Sequence, residues 1–113
     1  MASNIAFQAT GPSVVLSAGA SSSNVEVTVD TPAQQFAIVN TGENAVAIAF
    51  GRTNAVTAAF PTSGNAQDVH VIPAATRVVI TGIQASTSNT VYVAGIASGS
   101  TCVCYICPGE GLA

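Results

Sequence analysis

Apolar and polar residues alternate along several short stretches of this chain, and the clearest case is residues 24–30 (NVEVTVD). There, Val25, Val27 and Val29 alternate with acidic residues and a threonine. Because successive side chains of a strand point to opposite faces, a period of two places the valines on one face and the polar residues on the other. The pattern predicts a strand with one buried and one solvated face.

Short apolar runs recur along the chain and are separated by stretches rich in glycine, proline, serine and asparagine. Residues 54–60 (NAVTAAF) fit less well. Alanine favours helix, but a run this short makes a marginal helix, so a strand or a loop is expected there. The remaining predicted strands cover residues 5–9, 13–17, 34–40, 45–50, 68–72, 77–81, 90–96 and 101–107.

So many short strands in one domain require two packed sheets or a closed barrel. The sequence therefore predicts an all-β protein with a single domain over residues 1–113, built as a β-sandwich or jelly roll of short antiparallel strands. Composition agrees, because the chain has 15 valines and 8 isoleucines but only two leucines. Valine and isoleucine favour strands, whereas leucine favours helices.

Two of these strands, residues 34–40 and 45–50, flank the sequence TGEN. This connection is predicted to be a hairpin turn in which Gly42 is free to take a positive φ. In the second strand Val46, Ile48 and Phe50 share one face, and the other face is all alanine. Apolar residues on both faces predict either a central strand or a strand covered by another subunit.

The chain is poor in charge: 6% of its residues are charged, its only basic residues are Arg52 and Arg77, and it has no lysine. Globular domains carry about a quarter charged residues. Such a surface suits a β-rich subunit that is covered in an assembly. Two arginines cannot follow a nucleic-acid backbone, and they form no polybasic patch for anionic lipid.

The N-terminal segment MASNIAFQAT has neither the charged nor the apolar region of a signal peptide. No stretch approaches the roughly 18 apolar residues of a membrane span. The chain is therefore expected to be a soluble cytosolic product, or one released from a cell by lysis.

Three cysteines, Cys102, Cys104 and Cys107, lie close together in TCVCYICPG and are the strongest candidate for a metal site. Structural zinc takes four ligands, and the only histidine, His70, would have to supply the fourth. In a strand Cys102 and Cys104 point to the same face, where they can be buried as small apolar side chains. We expect packing rather than metal binding, and an odd number of cysteines argues against a disulfide framework.

Other polar residues offer no catalytic arrangement. Asp68 and His70 in DVHVIP could form an acid–base pair, but no nucleophile motif accompanies them. Tyr92 could stack on a sugar ring, although an interface or rim position is the expected role. The acidic residues are too widely spaced for a calcium loop.

Several segments carry a familiar pattern: the opening NIAFQATG, the central FAIVNTGENAVAIAFG, and the later VIPAATRVVITG, VYVAG and CPGEG. Together they resemble small virion proteins of tailed bacteriophages, most of all capsid decoration (cement) proteins. The resemblance covers most of the chain and is one of pattern, without a diagnostic motif. The cysteines are not part of it.

The resemblance implies a structural subunit on the outer capsid surface of the virion, made in the host bacterial cytoplasm. Its implied partners are the major capsid protein and copies of itself, as a dimer or trimer. No enzymatic activity, cofactor, metal, nucleic acid, membrane or small-molecule substrate is expected. Residues 1–10 and 108–113 are predicted contact arms, with Ile5, Phe7 and Leu112 as interface residues, because a free monomer would leave these apolar side chains in water.

Two other classes remain open. A phage neck, tail or fibre-associated module would share the fold and would differ in copy number. A carbohydrate-binding β-sandwich would need exposed aromatic residues and clusters of acids and amides in its loops, whereas the loops here hold mostly Ser, Thr, Gly and Asn.

Overall fold

A computed structural model describes residues 8–9, 11–29, 32–86 and 90–110. These ranges contain nine strands and no helix. The strands are β1 (Gln8–Ala9), β2 (Val14–Ala18), β3 (Ser23–Val27), β4 (Ala33–Asn40), β5 (Val46–Gly51), β6 (His70–Ile72), β7 (Thr76–Ala85), β8 (Val91–Ala97) and β9 (Cys102–Glu110).

The strands form two sheets in which every pairing is antiparallel. The front sheet has β9 at its centre, with β1 and β2 on one side and β4 followed by β7 on the other. The back sheet has the order β3-β8-β5-β6. The all-β prediction is confirmed.

The strand pairs follow a first-with-last rule: β2 pairs with β9, β3 with β8, β4 with β7, and β5 with β6. The chain is thus one long antiparallel hairpin rolled so that successive pairs lie in alternate sheets. This is the strand order of a jelly roll. It confirms the predicted β-sandwich or jelly-roll class.

The core lies between the sheets and is filled mainly by small aliphatic side chains. In the front sheet Phe36, Ile38 and Ile106 point inward and are fully buried, and Ile48 and Val93 meet them from the back sheet. The rings of Phe36 and Phe50 also pack against each other, with centroids 4.9 Å apart. The two inner faces follow the period of two that the sequence predicts.

Most strand positions follow the prediction, and the exceptions lie at the ends. In residues 24–30 the strand itself stops at Val27, yet Val27 and Val29 are buried and Glu26 is exposed, so the predicted apolar face is confirmed. β7 continues to Ala85, beyond its predicted end at residue 81. Residues 54–60 form a loop.

The predicted hairpin at TGEN is wrong. β4 and β5 belong to different sheets, so residues 41–45 carry the chain from one sheet to the other. Gly42 does not use this freedom, since among described glycines only Gly64 has a positive φ. Gly42 is needed for space instead: a Cβ there would lie 2.6 Å from the Cβ of Cys102. A side chain at Gly42 would push β9 away from this crossing.

Asn40 is the buried polar residue that organises the same crossing. Its Nδ2 donates to the carbonyl oxygens of Asn44 at 2.9 Å and Pro73 at 3.2 Å. Its Oδ1 accepts from the backbone N–H of Gly42 at 3.0 Å. One amide therefore fixes the end of β4, the turn into β5 and the connection between β6 and β7.

Replacing Asn40 by alanine is expected to destabilise the fold by about 1–3 kcal/mol, because three part-buried backbone groups, those of Gly42, Asn44 and Pro73, would each lose a hydrogen bond. Urea denaturation measures this change in unfolding free energy. The matched control is Asn65→Ala, since Asn65 is exposed in a turn and its replacement should change stability by less than about 0.5 kcal/mol. Equal effects of the two substitutions would contradict the role given to Asn40.

Candidate interaction surface

The outer face of the back sheet is covered over β5 and β8 by the chain itself. Residues 52–69, which we call the strap, connect β5 to β6 and lie against this face. A small apolar cluster joins them, with Ala58 of the strap buried against Ala49 of β5 and Ala94 of β8. Val56, Val69 and Ile96 pack around this cluster.

Polar contacts fasten the strap to β3 and to the residues just before it. The Nδ2 of Asn24 donates to the carbonyl oxygen of Asn54 at 2.8 Å. The backbone N–H of Ala58 donates to the Oγ of Ser22 at 2.9 Å. A Cβ at Gly51 would lie 2.6 Å from the Cβ of Val56, so the strap and β5 are in close contact.

This cover explains the alanine face of residues 45–50. β5 lies between β8 and β6, and Ala47 and Ala49 are buried on its outer side. Of the two predicted explanations, a central strand is confirmed. The strap covers the alanines, so their burial requires no second subunit.

The outer face of the front sheet exposes apolar side chains on its central strand as well as at its edge, whereas on the back sheet the exposed Val71 lies on the edge strand β6. Val15 of β2 lies opposite Tyr105 of β9, which lies opposite Val39 of β4, which in turn lies opposite Arg77 of β7. Val15 is 54% exposed and Tyr105 is 46% exposed. Directly opposed residues point to the same side of a sheet, so these four form one row across it.

We call the outward side chains Val15, Val39, Val103, Tyr105 and Cys107 the front face. Val39, Val103 and Cys107 are half-buried. Arg77, at the end of the row, is the one charged residue among the described outward positions of β2, β9, β4 and β7. Covering this face would therefore desolvate little charge. An open apolar sheet face is a candidate interaction surface.

The cysteines divide between the two sides of β9. Cys102 and Cys104 point into the core and are fully buried, which confirms that they pack as small apolar side chains. The Sγ of Cys102 donates to the carbonyl oxygen of Asn44 at 3.3 Å. Burial, with a smaller contribution from neighbouring Cys102, raises the pKa of the Cys104 thiol from 9.0 to about 11. Cys107 lies on the opposite, outward side.

The structure does not bring the other candidate residues into a site. His70 begins β6 and packs edge-on against Phe50, with ring centroids 6.0 Å apart, while Asp68 lies in the strap before it. No hydrogen bond or ion pair joins the two within the described ranges. Tyr92 lies opposite Glu26 on the outer side of the back sheet and is half-buried.

Among the described residues no group of three or more His, Cys, Asp or Glu side chains is placed to hold a metal ion. In the same ranges no helix has the length and apolar character needed to cross a membrane. The predicted interface residues Ile5, Phe7 and Leu112 lie outside the described residues. Parts of both predicted arms are strand: residues 8–9 form β1, and residues 108–110 end β9.

The sequence of β9 has a pattern that bears on the front face. In residues 102–107 the inward side chains Cys102, Cys104 and Ile106 alternate with outward Val103, Tyr105 and Cys107. Both faces of this strand are therefore apolar, as in residues 45–50. The pattern predicts a central strand, but it does not say which outer face the chain leaves open.

Comparison of the chain with protein-family models gives no match, and the searches of curated proteins and of solved structures also give none.

The three thiols should differ in reactivity. N-ethylmaleimide at neutral pH is expected to modify Cys107 first, because Cys102 and Cys104 are buried and only the thiolate reacts. Peptide mapping after a short exposure identifies the labelled residue. Rapid labelling of Cys104 in the folded protein would contradict the buried position.

Stability should also fall between about pH 9 and pH 11, because the unfolded Cys104 thiol loses its proton near 9.0 whereas the folded one holds it to about 11. In this window the unfolded state binds fewer protons, so rising pH favours unfolding. Cys104→Ala should flatten this part of the pH profile of unfolding free energy. Cys107→Ala is the control and should leave it unchanged.

Proposed function

We propose that this chain is a structural virion protein, a capsid decoration subunit that binds the head shell of a tailed phage through its front face. The observation that carries the proposal is the contrast between the two outer faces. The strap covers Ala49 and Ala94 on the inner strands of the back sheet and leaves Val71 exposed only at the edge, whereas on the front sheet Tyr105 of the central strand is exposed together with Val15.

The fold is compatible with this role but does not select it. Jelly rolls occur in viral capsid domains, in lectins and in cupins, so a function must be argued from the surface. The front face offers apolar side chains and one arginine, and it has no convergent polar groups that would hold a small ligand. Broad apolar contact with another protein is the use that this chemistry supports.

The free energy gained by burying the front face would give each subunit a contact of modest strength, and a decoration subunit repeats this contact many times on one particle. Full burial of a side chain such as valine stabilises by about 1.5–3 kcal/mol. A standard interface buries roughly 800 Å² per partner, so the front face would form the centre of a contact whose rim lies on neighbouring residues. The low charge keeps the desolvation cost of such a rim small.

The two predicted arms would start from one edge of the front sheet. Gln8 of β1 lies opposite Glu110 of β9, so the described chain begins and ends at adjacent positions. Segments leaving this point are suited to reach the same neighbouring subunit, with Ile5, Phe7 and Leu112 as their apolar contacts. The arms would extend the contact made by the front face.

A neck, tail or fibre-associated module is the alternative, because it could use the same face. Its copy number would separate the two roles, since a decoration subunit is present in hundreds of copies per particle and a neck ring in a few. Tyr105 favours a carbohydrate-binding role more than the half-buried Tyr92 does, because an exposed ring can stack on a sugar. Its neighbours in the row, Val15 and Val39, offer a sugar no hydrogen bonds.

Replacing Tyr105 by glutamate should weaken binding to heads of the virus that encodes the chain by roughly tenfold or more, because it places a charge in the centre of the contact. Sedimentation of heads with added protein measures the bound fraction. Thr57→Glu is the matched control: Thr57 is exposed on the strap, on the opposite side of the sandwich. Both variants should unfold at nearly the wild-type temperature.

Two results would overturn the proposal. One is the absence of the chain from purified virions. The other is equal retention of the Tyr105 and Thr57 variants on heads, which would remove the front face from the contact.

The arms give a separate prediction. Removing residues 1–7 should reduce the fraction of protein retained on heads and should have a smaller effect on folding, measured as the melting temperature. The reason is that these residues precede the first described strand. Removing the single residue 113 is the control for trimming a chain end. Unchanged retention after the N-terminal truncation would exclude the N-terminal arm while leaving the front face to be judged by its own variants.

A further inference from the structure

One edge of the sandwich is incompletely closed. β7 has ten residues and, among the residues that the structure describes, pairs on one side only, with β4. β6, the edge strand of the back sheet that contacts β7 across the sandwich, has only three residues. A strand of this length cannot cover the inner face of β7.

The side chains of β7 are partly exposed because of this incomplete cover. Val78 lies opposite Ile38 and Ile80 lies opposite Phe36, so both point toward the core. Ile38 and Phe36 are fully buried, yet Val78 and Ile80 are only half-buried. Val79, on the outer side between them, is half-buried as well. Three consecutive aliphatic residues therefore remain partly in water at a free strand edge.

The free edge of β7 also lacks the usual features that prevent strand pairing. β7 contains no proline and no lysine, and Arg77 is its only charged residue. Its second half is irregular, with a register shift opposite residues 33–35, and Nη1 of Arg52 donates to the carbonyl oxygen of Gln84 at 2.6 Å. The open segment is therefore residues 76–81. A six-residue edge with one charged side chain and no proline or lysine is a template for another strand.

We propose that residues 76–81 pair with the same residues of a second copy, forming a two-fold antiparallel dimer in which Val79 lies opposite itself. The self-complementary pattern of the segment supports a second copy as the occupant. In this register Arg77 lies opposite Thr81 and Val78 lies opposite Ile80, so polar residues meet polar ones and aliphatic residues meet aliphatic ones. Centring the pair on Arg77 would instead place two guanidinium groups face to face.

This pairing has a geometric consequence for the front face. Directly opposed residues share a side of the sheet, so the two front sheets join into one sheet with both front faces on the same side. The dimer would thus present two copies of the front face to one partner surface. The proposal does not depend on what that partner is, since it rests on β7 alone.

The test uses the full chain and a charge swap at Val79. Sedimentation equilibrium at micromolar concentration should show a dimer for the natural sequence. Val79→Lys and Val79→Glu should each weaken self-association by roughly tenfold or more, since like charges would face each other at the two-fold axis. An equimolar mixture of the two variants should restore the dimer. Val15→Lys, the same change at the opposite edge of the front sheet, should leave it intact.

Thr81 provides a second readout that does not disturb a half-buried residue, because its side chain is exposed. Thr81→Glu should tighten the dimer by pairing with Arg77 of the second copy, and Thr81→Lys should weaken it. A natural sequence that is monomeric or trimeric would overturn the proposal, as would Val79 and Thr81 variants that all associate like the natural sequence. Folded Val79 variants that fail to pair when mixed would exclude the Val79-centred register.

Discussion

The fold depends on pairing between distant parts of the chain. β2 near the start is bonded to β9 near the end, and each later strand finds its partner correspondingly closer in sequence until β5 meets β6. Neither sheet is complete until the second half of the chain is present. The loop-closure entropy of such pairings must be overcome before their contacts form, and folds dominated by non-local strand pairs are slow to form. Asn40 matters in this setting because one amide joins segments from both halves.

The two sheets of this charge-poor chain differ in how their outer faces are covered. Both sheets carry apolar residues outward, and only the back sheet receives a strap whose small residues fit closely against Ala49 and Ala94. The front sheet retains larger outward side chains, including Tyr105. A surface that is apolar, uncovered and nearly uncharged costs little to desolvate, and the proposed contact with another protein rests on this property.

Local pattern was enough to locate the strands, because the period of two in segments such as residues 24–30 depends only on neighbouring residues. It also placed Cys102 and Cys104 on one buried face. Which strands pair with each other cannot be predicted from neighbouring residues in this way. The TGEN segment looked like a hairpin because its flanking strands are adjacent in sequence, whereas β4 and β5 lie in different sheets. Position 42 has no room for a side chain because Cys102, which is distant in sequence, lies against it. No local pattern could reveal this contact. The same limit applies to the front face, because which sheet the strap covers is decided by contacts with residues such as Asn24 and Ser22.

The tip of the strap has a practical consequence. Residues 61–66 are all exposed, and Thr62 and Asn65 bond to each other's backbone across a tight turn that contains Gly64. Exposed turns of this kind are where chains tolerate insertions, because no buried contact crosses them. The turn also lies on the side of the sandwich away from the front face. A foreign peptide inserted between Ser63 and Gly64 would therefore point outward from any particle that the front face binds, which makes this position suited to surface display.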